Sequence, residues 1–290
     1  MRDPKIEQEI RNFLKPRPKR AHKGDFGRIF ILAGSRGYTG AAILSSFAAL
    51  RAGAGLVTLG CPDKVYSILA RRHPEVMVHP FPSTSTGTLS DKGLAEILRF
   101  LKNQDILAIG PGLGRHPRTT RLVHRLALQS PIQLVIDADG INAFQGKPEL
   151  LRKCKMPPVL TPHPGEFVRV FGGKLPKSDS ERKIRALEAA RKFKSIIVLK
   201  GHRTVTAALF GRVSINSTGN PGMATGGTGD VLTGIIAALI GQGIYPFDAA
   251  RFGVYLHGLA GDLAARKIGE ISLVSGDLIE FLPQAFQLVL

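Results

Sequence analysis

Short runs of consecutive apolar residues recur along the 290-residue chain, and most of them are followed by a glycine-rich or polar segment. The runs are shorter than a typical helix and rich in β-branched residues, so we predict that they are buried strands. They lie at residues 28–33, 56–61, 106–109, 134–136, 159–160 and 196–199. Strands that are apolar throughout are typical of a sheet covered on both faces. The pattern therefore predicts an α/β fold with a mostly parallel central sheet and helices on both faces.

Helices are predicted before, between and after these strands, and the first of them is amphipathic. They are residues 5–14, 41–52, a segment that follows the second strand and ends at about residue 71, 90–102 with Ser90 as the N-cap, 117–129, 179–193, 246–267 and 275–287. Residues 205–209 and 212–215 flank Phe210 and Gly211 and predict a hairpin. Residues 73–88 are rich in proline, serine and threonine and are predicted to be a loop.

Glycine is concentrated in one stretch of the chain. Six of the sixteen residues from 219 to 234 are glycine, compared with 33 in all 290 residues. An apolar segment, 231–240, follows directly and predicts a helix that begins near Gly229 and Asp230. This helix is apolar almost all round, so it should be buried.

The start of this predicted helix has the features of an anion site. The first N–H groups of a helix have no intrahelical partner, and the helix dipole adds partial positive charge there. Glycines allow an oxyanion to approach those groups closely. We therefore predict that Gly226, Gly227, Thr228 and Gly229 form an anion hole for a phosphate group.

Asp230 lies beside this predicted anion hole, where its charge would repel a bound anion. A carboxylate is useful at this place if it removes a proton from a hydroxyl group that attacks the phosphate, so we predict that Asp230 is the catalytic base. The alternative is that Asp230 only caps the helix. Capping does not explain the neighbouring glycines, and we therefore prefer the catalytic interpretation.

Glycine-rich or polar segments follow five of the predicted strands. They are GSRGYTG at 34–40, GPGLG at 110–114, DADG at 137–140, TPHPGE at 161–166 and KGHRT at 200–204. The carboxyl ends of the strands in an open α/β sheet lie at one edge, so we predict that the five segments line one crevice. Each has a simpler explanation when taken alone: a tight turn, a solvated Asp137 or Asp139, a rigid corner at His163, or a surface charge at Lys200. Their coincidence with a predicted phosphate site favours a shared function.

The glycine-rich stretch is not a Walker A loop, because residues 216–243 contain no lysine, and it lacks the GxGxxG spacing of dinucleotide-binding folds. The residues GTGD at 227–230 resemble instead the GxGD anion hole of the ribokinase-like kinases. The longer string NPGMATGGTGDVLTG resembles the signature of the ADP- or ATP-dependent NAD(P)H-hydrate dehydratases, a branch of that superfamily. The segments HKGDFGRIFILAGSRGYTGAAILSS, GPGLG, VIDADG, LTPHPGEF and VLKGHRTV resemble that family in the same order, from about residue 22 onwards.

The resemblance implies a ribokinase-like fold and a lyase that repairs a damaged cofactor. The reaction removes water from the nicotinamide ring of (S)-NADHX or NADPHX, with consumption of ADP or ATP. By resemblance, the hydrated nucleotide is contacted by Ala41, Gly112, Gly114, His163 and Asp230, and the contact within GPGLG is left open between its glycines. By the same resemblance, the adenine nucleotide is contacted by Lys200, Gly201, His202, Arg203, Thr204 and Gly229.

The resemblance also implies further features of the protein. Mg²⁺ is expected with the nucleotide phosphates, and Asp137 and Asp139 are candidate ligands only through water. We expect ADP to be the co-substrate and a symmetric homo-oligomer, a homotetramer, to be the assembly. We predict one domain, residues 22–290, after an N-terminal extension of residues 1–21. That extension is too short for the epimerase domain that many family members carry, so we do not expect this chain to interconvert epimers.

Composition limits the remaining classes of function. The formal net charge is +18, but lysine and arginine are spread along the chain and form no nucleic-acid-binding module, so we expect no nucleic-acid partner. A positive field can also attract ligands that carry phosphates. No apolar run is long enough to span a bilayer and no secretory signal is visible, so we expect a cytoplasmic protein without a membrane partner. The two cysteines, Cys61 and Cys154, exclude a disulfide framework and a cysteine-based zinc site.

Two other functions are possible on the sequence alone. The GxGD pattern is shared with kinases of vitamin alcohols such as hydroxyethylthiazole or pyridoxal, so a ribokinase-like small-molecule kinase is the main alternative. A nucleic-acid-binding protein without enzymatic activity is supported only by the net charge.

Overall fold

The computed structural model describes residues 2–14, 16–174, 176 and 178–290. Within these residues the strands are β1 Arg28–Leu32, β2 Leu56–Pro62, β3 Met77–Phe81, β4 Ile106–Ile109, β5 Gln133–Ile136, β6 Val159–Leu160, β7 Ile196–Leu199, β8 Val205–Ala207 and β9 Val213–Ile215. They form one sheet in the order β3-β2-β1-β4-β5-β6-β7-β8-β9. The pairs from β3 to β7 are parallel, and β8 and β9 join as an antiparallel hairpin. The mostly parallel sheet and the hairpin are confirmed.

The prediction of a loop at residues 73–88 is wrong, because β3 lies within it. β3 is an edge strand that pairs only with β2. Its side chains are largely exposed or half-buried, and it contains Pro80. Proline is tolerated at a sheet edge, where a missing N–H leaves no bond unmade. An edge strand therefore lacks the continuous apolar run that identified the other strands.

The helices are α1 Pro4–Phe13, α2 Thr39–Arg51, α3 Tyr66–Leu69, α4 Leu94–Leu101, α5 Pro117–Gln129, α6 Ala138–Asn142, α7 Pro164–Phe171, α8 Asp179–Lys192, α9 Thr228–Gly241, α10 Pro246–Ile268 and α11 Ser275–Val289. Most agree with the predicted ranges within a few residues. The segment before residue 71 is shorter than predicted, because it holds only a single turn and the short α3. Two helices, α6 and α7, were not predicted; each begins where a polar segment follows a strand. Ser90 caps the first turn before α4, as predicted.

Each central strand contributes to two hydrophobic cores, because successive side chains of a strand point to opposite faces. Ile29 and Ile31 of β1 belong to a core with α1, α2, α9, α10 and α11. Phe30 and Leu32 of the same strand belong to a core with α4, α5, α7 and α8. This arrangement confirms the prediction of helices on both faces of the sheet.

The N-terminal helix α1 is part of the first of these cores. Ile10 is fully buried there, and Ile6 is nearly so. Tyr255 of α10 donates a hydrogen bond from its hydroxyl to the Glu7 carboxylate, and the Asp3 N–H donates to the same hydroxyl. Helix α1 thus packs with the rest of the chain. The division into an N-terminal extension of residues 1–21 and a domain of residues 22–290 stays a prediction. Among the described helices, none combines the length and apolar composition that crossing a membrane requires.

The glycine-rich stretch leads into α9, whose residues 231–239 are all buried, as predicted. α9 packs against α2, α10 and the middle strands of the sheet. The contact with α2 is closest at Gly234, where an added Cβ would lie 2.1 Å from the carbonyl oxygen of Ser45. The close approach of the two helices therefore requires glycine at this position.

We expect Gly234→Ala to lower the free energy of unfolding by about 1–3 kcal/mol, because the added methyl group forces α2 and α9 apart. Denaturant unfolding followed by circular dichroism measures the change. Gly276→Ala in α11 is a matched control, since an added Cβ there meets no atom within 4 Å. Alanine should leave stability unchanged or raise it slightly at that position. Equal losses in both variants would contradict a steric cause at Gly234.

Candidate active site

The five segments that the sequence placed at strand ends follow β1, β4, β5, β6 and β7. These strands are consecutive neighbours in the sheet, so the segments lie side by side at its carboxyl edge. Hydrogen bonds connect the segments directly. The Ser35 hydroxyl donates to the Gly112 carbonyl at 2.7 Å, and the Lys200 N–H donates to the Pro162 carbonyl at 2.9 Å.

Asp137, directly after β5, connects three strand ends with α9. It is 1% exposed. Its Oδ1 accepts hydrogen bonds from Thr161 Oγ1 at 2.7 Å and from Lys200 Nζ at 2.9 Å. Its Oδ2 accepts a bond from Thr233 Oγ1 of α9 at 2.7 Å. A solvated turn does not describe Asp137, and a surface charge does not describe Lys200, because the two form a largely buried ion pair.

The ammonium group of Lys200 lies next to the first turn of α9. A Cβ added to Gly229 would be 3.1 Å from Lys200 Nζ and 4.0 Å from Asp137 Oδ2. Burial of Lys200 favours a lower pKa, but the carboxylates of Asp137, Glu166 and Asp230 outweigh this effect and raise the pKa of Lys200 above its ordinary value. Lys200 is therefore charged, and it lies next to the positive end of the α9 dipole. An anion bound there would be stabilised by the Lys200 ammonium and by the start of α9.

The four residues of the predicted anion hole have different surroundings. Gly227 is the N-cap of α9, with φ 90° and no capping side chain, and an added Cβ would lie 2.5 Å from Leu44 Cδ1. Both the backbone conformation of the turn and the packing against Leu44 therefore require glycine at position 227. The Thr228 hydroxyl donates to backbone carbonyls of its own loop. Gly226 is exposed, with no atom within 4 Å of an added Cβ. Of the four residues, Gly229 is the one that lies against Lys200.

Asp230 is the third residue of α9 and is partly buried. In the described part of the chain, its carboxylate forms no hydrogen bond or ion pair, and α9 has no side-chain cap. The alternative that Asp230 only caps the helix is therefore wrong. Burial, together with the negative charges of Asp137, Glu166 and Asp139, raises the pKa of Asp230 to about 7, although Lys200 acts in the opposite direction. A carboxylate with such a pKa is suited to accept and release a proton near neutrality.

A cavity of about 460 Å³ opens beside Lys200 and the start of α9. It is within the size range of small-molecule sites. All six residues predicted to contact the adenine nucleotide line it, and they are Lys200, Gly201, His202, Arg203, Thr204 and Gly229. Other residues of the glycine-rich stretch and residues of α10 also line the cavity.

The residues predicted to contact the hydrated nucleotide lie outside the lining of this cavity. Ala41 and Gly112 are adjacent, since a Cβ on Gly112 would be 3.0 Å from the Ala41 Cβ. The N–H of Gly114 donates to Asp139 Oδ2 at 2.9 Å. His163 is exposed and caps α7, its Nδ1 accepting from the Gly165 N–H at 3.0 Å. The structure thus keeps the two predicted sets of contacts apart, with Asp230 outside the cavity lining as well.

Two residues of the site were not recognised in the sequence. Glu166 is buried, its Oε2 accepts from the His163 N–H, and burial raises its pKa. His257 of α10 lines the cavity, and its Nε2 lies 2.8 Å from the Thr228 carbonyl. Burial lowers the pKa of His257 to about 4, so the ring is neutral and its Nε2 must carry the hydrogen. A single histidine within a largely buried helix has no local pattern that marks it as functional.

The described residues were also searched for a group of side chains that could bind a metal ion. Across residues 2–14, 16–174, 176 and 178–290, no three His, Cys, Asp or Glu side chains come together as a metal-binding group. Asp139, one of the two candidates, bonds to the Gly114 N–H and to Arg115, and Asp137 is bonded through both oxygens.

The chain is similar to several known proteins. A sequence model of the NAD(P)H-hydrate dehydratase family (Carb_kinase) matches residues 29–284. The chain is 48% identical over 273 residues to the bifunctional NAD(P)H-hydrate repair enzyme Nnr of Moorella thermoacetica. The matched region is 94% of the chain and 52% of that protein. The corresponding protein of Thermofilum pendens is 44% identical over 274 residues, again 94% of the chain and 52% of that protein. The chain thus spans about half the length of the curated relatives it matches.

Solved structures show the same relationship. The ADP/ATP-dependent NAD(P)H-hydrate dehydratase from Bacillus subtilis, co-crystallized with ATP and Mg²⁺, superimposes with a TM-score of 0.81 at 29% identity, covering 98% of this chain and 97% of that one. The hydroxyethylthiazole kinase of Pyrococcus horikoshii has a TM-score of 0.64 at 15% identity, covering 97% and 92%. The kinase therefore shares the fold alone.

Proposed function

Because the chain belongs to the NAD(P)H-hydrate dehydratase family, we propose that it removes water from the hydrated nicotinamide ring of (S)-NADHX or NADPHX and consumes ADP or ATP in doing so. The prediction of an enzyme of this family with a ribokinase-like fold is confirmed. The observation that best supports the chemistry is Asp230, whose pKa is raised to about 7 beside the Lys200–Gly229 contact.

The proposed first step is phosphorylation of the ring hydroxyl. Asp230 accepts the proton of the ring hydroxyl. The hydroxyl oxygen bonds to the terminal phosphorus of the nucleotide, and the bond from phosphorus to the bridging oxygen breaks. The charge of the transferred group is stabilised by the Lys200 ammonium and by the first N–H groups of α9. The nucleotide leaves with one phosphate fewer.

The proposed second step is loss of phosphate, which is a better leaving group than hydroxide. The lone pair of the ring nitrogen forms a double bond to the carbon that carried the phosphate, and the bond from that carbon to oxygen breaks. A proton then leaves the neighbouring ring carbon, and the dihydronicotinamide is restored. The sum of the two steps is removal of water from the ring and hydrolysis of one phosphoanhydride bond.

The cavity beside Lys200 is the proposed site of the adenine nucleotide. Segment 200–204 and Gly229 would hold it, and Ala41, Gly112 or Gly114, and His163 would hold the hydrated nucleotide on the other side of Asp230. The described residues offer no preformed group of three metal ligands. This fits Mg²⁺ bound mainly by phosphate oxygens and water, where it would neutralise phosphate charge. We propose ADP as the nucleotide and a homotetramer as the assembly, both from the family resemblance; the cytoplasmic location stays a prediction.

The test is to incubate the protein with hydrated NADH, ADP and Mg²⁺ and to follow the near-ultraviolet absorbance of the restored dihydronicotinamide. We expect recovery that depends on the nucleotide and that releases AMP and phosphate in equal amounts. Absence of nucleotide-dependent recovery would count against the proposal. A stable phosphorylated product from hydroxyethylthiazole or pyridoxal would instead support the small-molecule kinase.

A further inference from the structure

A buried arginine outside all the predicted contacts reaches the nucleotide segment from the side of α8. Arg182 is 9% exposed and lies in the first turns of that helix. Its guanidinium donates to the carbonyl oxygen of Leu199 at 3.0 Å, to that of Lys200 at 3.2 Å and to that of His202. One side chain therefore bonds to three backbone carbonyls of residues 199–202.

Stability alone does not account for a guanidinium at this place. Burial of a charge is costly unless the charge is fully paired and bonded. The nearest carboxylate, that of Asp179, is 3.9 Å away, and Arg182 Nε is buried without a hydrogen-bond partner among the described residues. An apolar side chain of similar length would fill the space without these costs, so the bonds to the carbonyls are the evident reason for arginine.

The segment that Arg182 holds has an unusual backbone. Gly201 has φ 142° and Arg203 has φ 54°, which is the left-handed region that side chains other than glycine rarely adopt. A Cβ added to Gly201 would lie 2.9 Å from Arg182 Nη2, so glycine leaves room for the guanidinium. Asp179, at the start of α8, also bonds to the Arg203 side chain at 3.1 Å. The first turn of α8 thus secures the segment at both its backbone and its exposed side chain.

The carbonyl bonds decide where the N–H groups of this segment point. In a trans peptide the C=O and the following N–H point in opposite directions. The carbonyls of Lys200 and His202 are directed at Arg182, so the N–H groups of Gly201 and Arg203 are directed away from α8. Among the described residues, neither N–H has an acceptor, and both residues line the cavity. Free backbone N–H groups that lie close together at the wall of a cavity can bind an anion.

We propose that Arg182 is a positioning residue for the nucleotide co-substrate: by holding the carbonyls of Lys200 and His202 it directs the N–H groups of Gly201 and Arg203 at a nucleotide phosphate. The inference rests on the proposed function, because it takes the cavity as the nucleotide site. It adds a residue that never touches the ligand, and a second set of phosphate donors besides the start of α9.

The test compares Arg182→Met with Arg185→Met. Arg185 lies on the same helix and likewise donates to two backbone carbonyls, those of Gly172 and Lys174, which do not line the cavity. In Arg182→Met we expect the KM for ADP to rise about tenfold, as for the loss of a hydrogen bond or two to phosphate. The KM for hydrated NADH, and kcat at saturating ADP, should stay unchanged. Arg185→Met should leave all three values unchanged.

Calorimetric titration with ADP alone separates this inference from the proposed function. If the wild-type protein does not bind ADP, the nucleotide site itself is wrong and the inference falls with it. If the wild type binds ADP and Arg182→Met binds it equally well, only the role of Arg182 is wrong. A uniform rise in both KM values would show a structural role and would also overturn it.

Arg182→Lys carries the same test if Arg182→Met does not fold. Lysine keeps the charge, but its single ammonium group cannot bond to three carbonyls spread over residues 199–202 in the fixed fork that a guanidinium provides. We expect the KM for ADP to rise in this variant as well. An unchanged KM for ADP in Arg182→Lys would contradict the proposal, because it would show that the site requires the positive charge and not the orientation of the carbonyl groups.

Discussion

Asp230→Asn is expected to lower kcat by about a hundred- to ten-thousandfold, the range attributed to a positioned general base. Asparagine has nearly the same shape but cannot accept the proton of the ring hydroxyl. Affinity for ADP should be kept or slightly improved, because a negative charge next to the phosphate site is removed. Steady-state kinetics and calorimetric titration with ADP measure the two effects. If turnover survives in the variant, the assignment of the base is wrong.

The pH profile provides a second reading of the same residue. The pKa of Asp230 is raised to about 7, and only the ionised carboxylate can act as the base. In the wild type, kcat/KM should therefore rise with pH up to about 7 and level off above it. The residual activity of Asp230→Asn should lack this acidic limb. The range from pH 5 to 8 includes the expected midpoint near 7. A wild-type profile that is flat over this range would contradict the raised pKa.

Stability should respond to pH in the direction that the raised pKa requires. In the unfolded chain Asp230 ionises near its ordinary pKa of 3.8, whereas in the folded protein it ionises near 7. The folded state holds the proton more tightly, so the contribution of Asp230 to stability is lost as the pH rises from about 4 to about 7. Asp230→Asn removes this loss. The gain in its midpoint of thermal unfolding over the wild type should be small at pH 4 and largest above pH 7.

Asp277→Asn is the matched control for these measurements. Asp277 is the third residue of α11, as Asp230 is of α9. Unlike Asp230, it accepts a hydrogen bond from a backbone N–H, that of Val274, at 2.8 Å. Asparagine keeps an oxygen that can accept this bond, so the replacement should cost little stability and leave kcat unchanged. A similar fall in kcat in both variants would indicate a general effect of helix-terminal charge.

Gly229→Val is expected to raise the KM for the nucleotide about 10- to 100-fold, which corresponds to the loss of a charge-assisted hydrogen bond. A Cβ at this position lies 3.1 Å from Lys200 Nζ, and the valine methyl groups extend further into the space between the ammonium and the start of α9. Lys200 must move or the anion must bind further away. Kinetics with varied ADP measure the effect, and unfolding curves show whether the fold is kept.

Gly226→Val tests whether crowding at Lys200 is the cause. Gly226 belongs to the same glycine-rich stretch, but an added Cβ there meets no atom within 4 Å. We expect the KM for ADP to be unchanged. If Gly226→Val weakens the nucleotide as much as Gly229→Val does, the anion hole extends along the whole stretch, as the sequence pattern predicted, and the Lys200–Gly229 contact is not its centre.

Local patterns were sufficient for most of the fold because the strands are buried on both faces. Such strands must be apolar throughout, so β1, β4 and β7 are visible as runs in the sequence. The same reasoning fails at β3, which lies at the edge and exposes much of its length. It also fails at α7, whose start consists of histidine, proline and glycine, and which depends on His163 and Glu166 as caps.

The sequence by itself determined the parallel sheet, the position of the polar segments at one edge and the acidic residue at the start of an apolar helix. These follow from periodicity, from the positions of glycine and from the alternation of predicted strands and helices, which are properties of the sequence pattern. Only the tertiary structure decided that Asp137 binds Lys200 and Thr233, that Lys200 lies against Gly229, and that Arg182 holds the segment after β7. These contacts join residues between 18 and 96 positions apart in the chain. The pKa of Asp230 depends on the same packing, because burial and nearby charge arise only when distant segments meet.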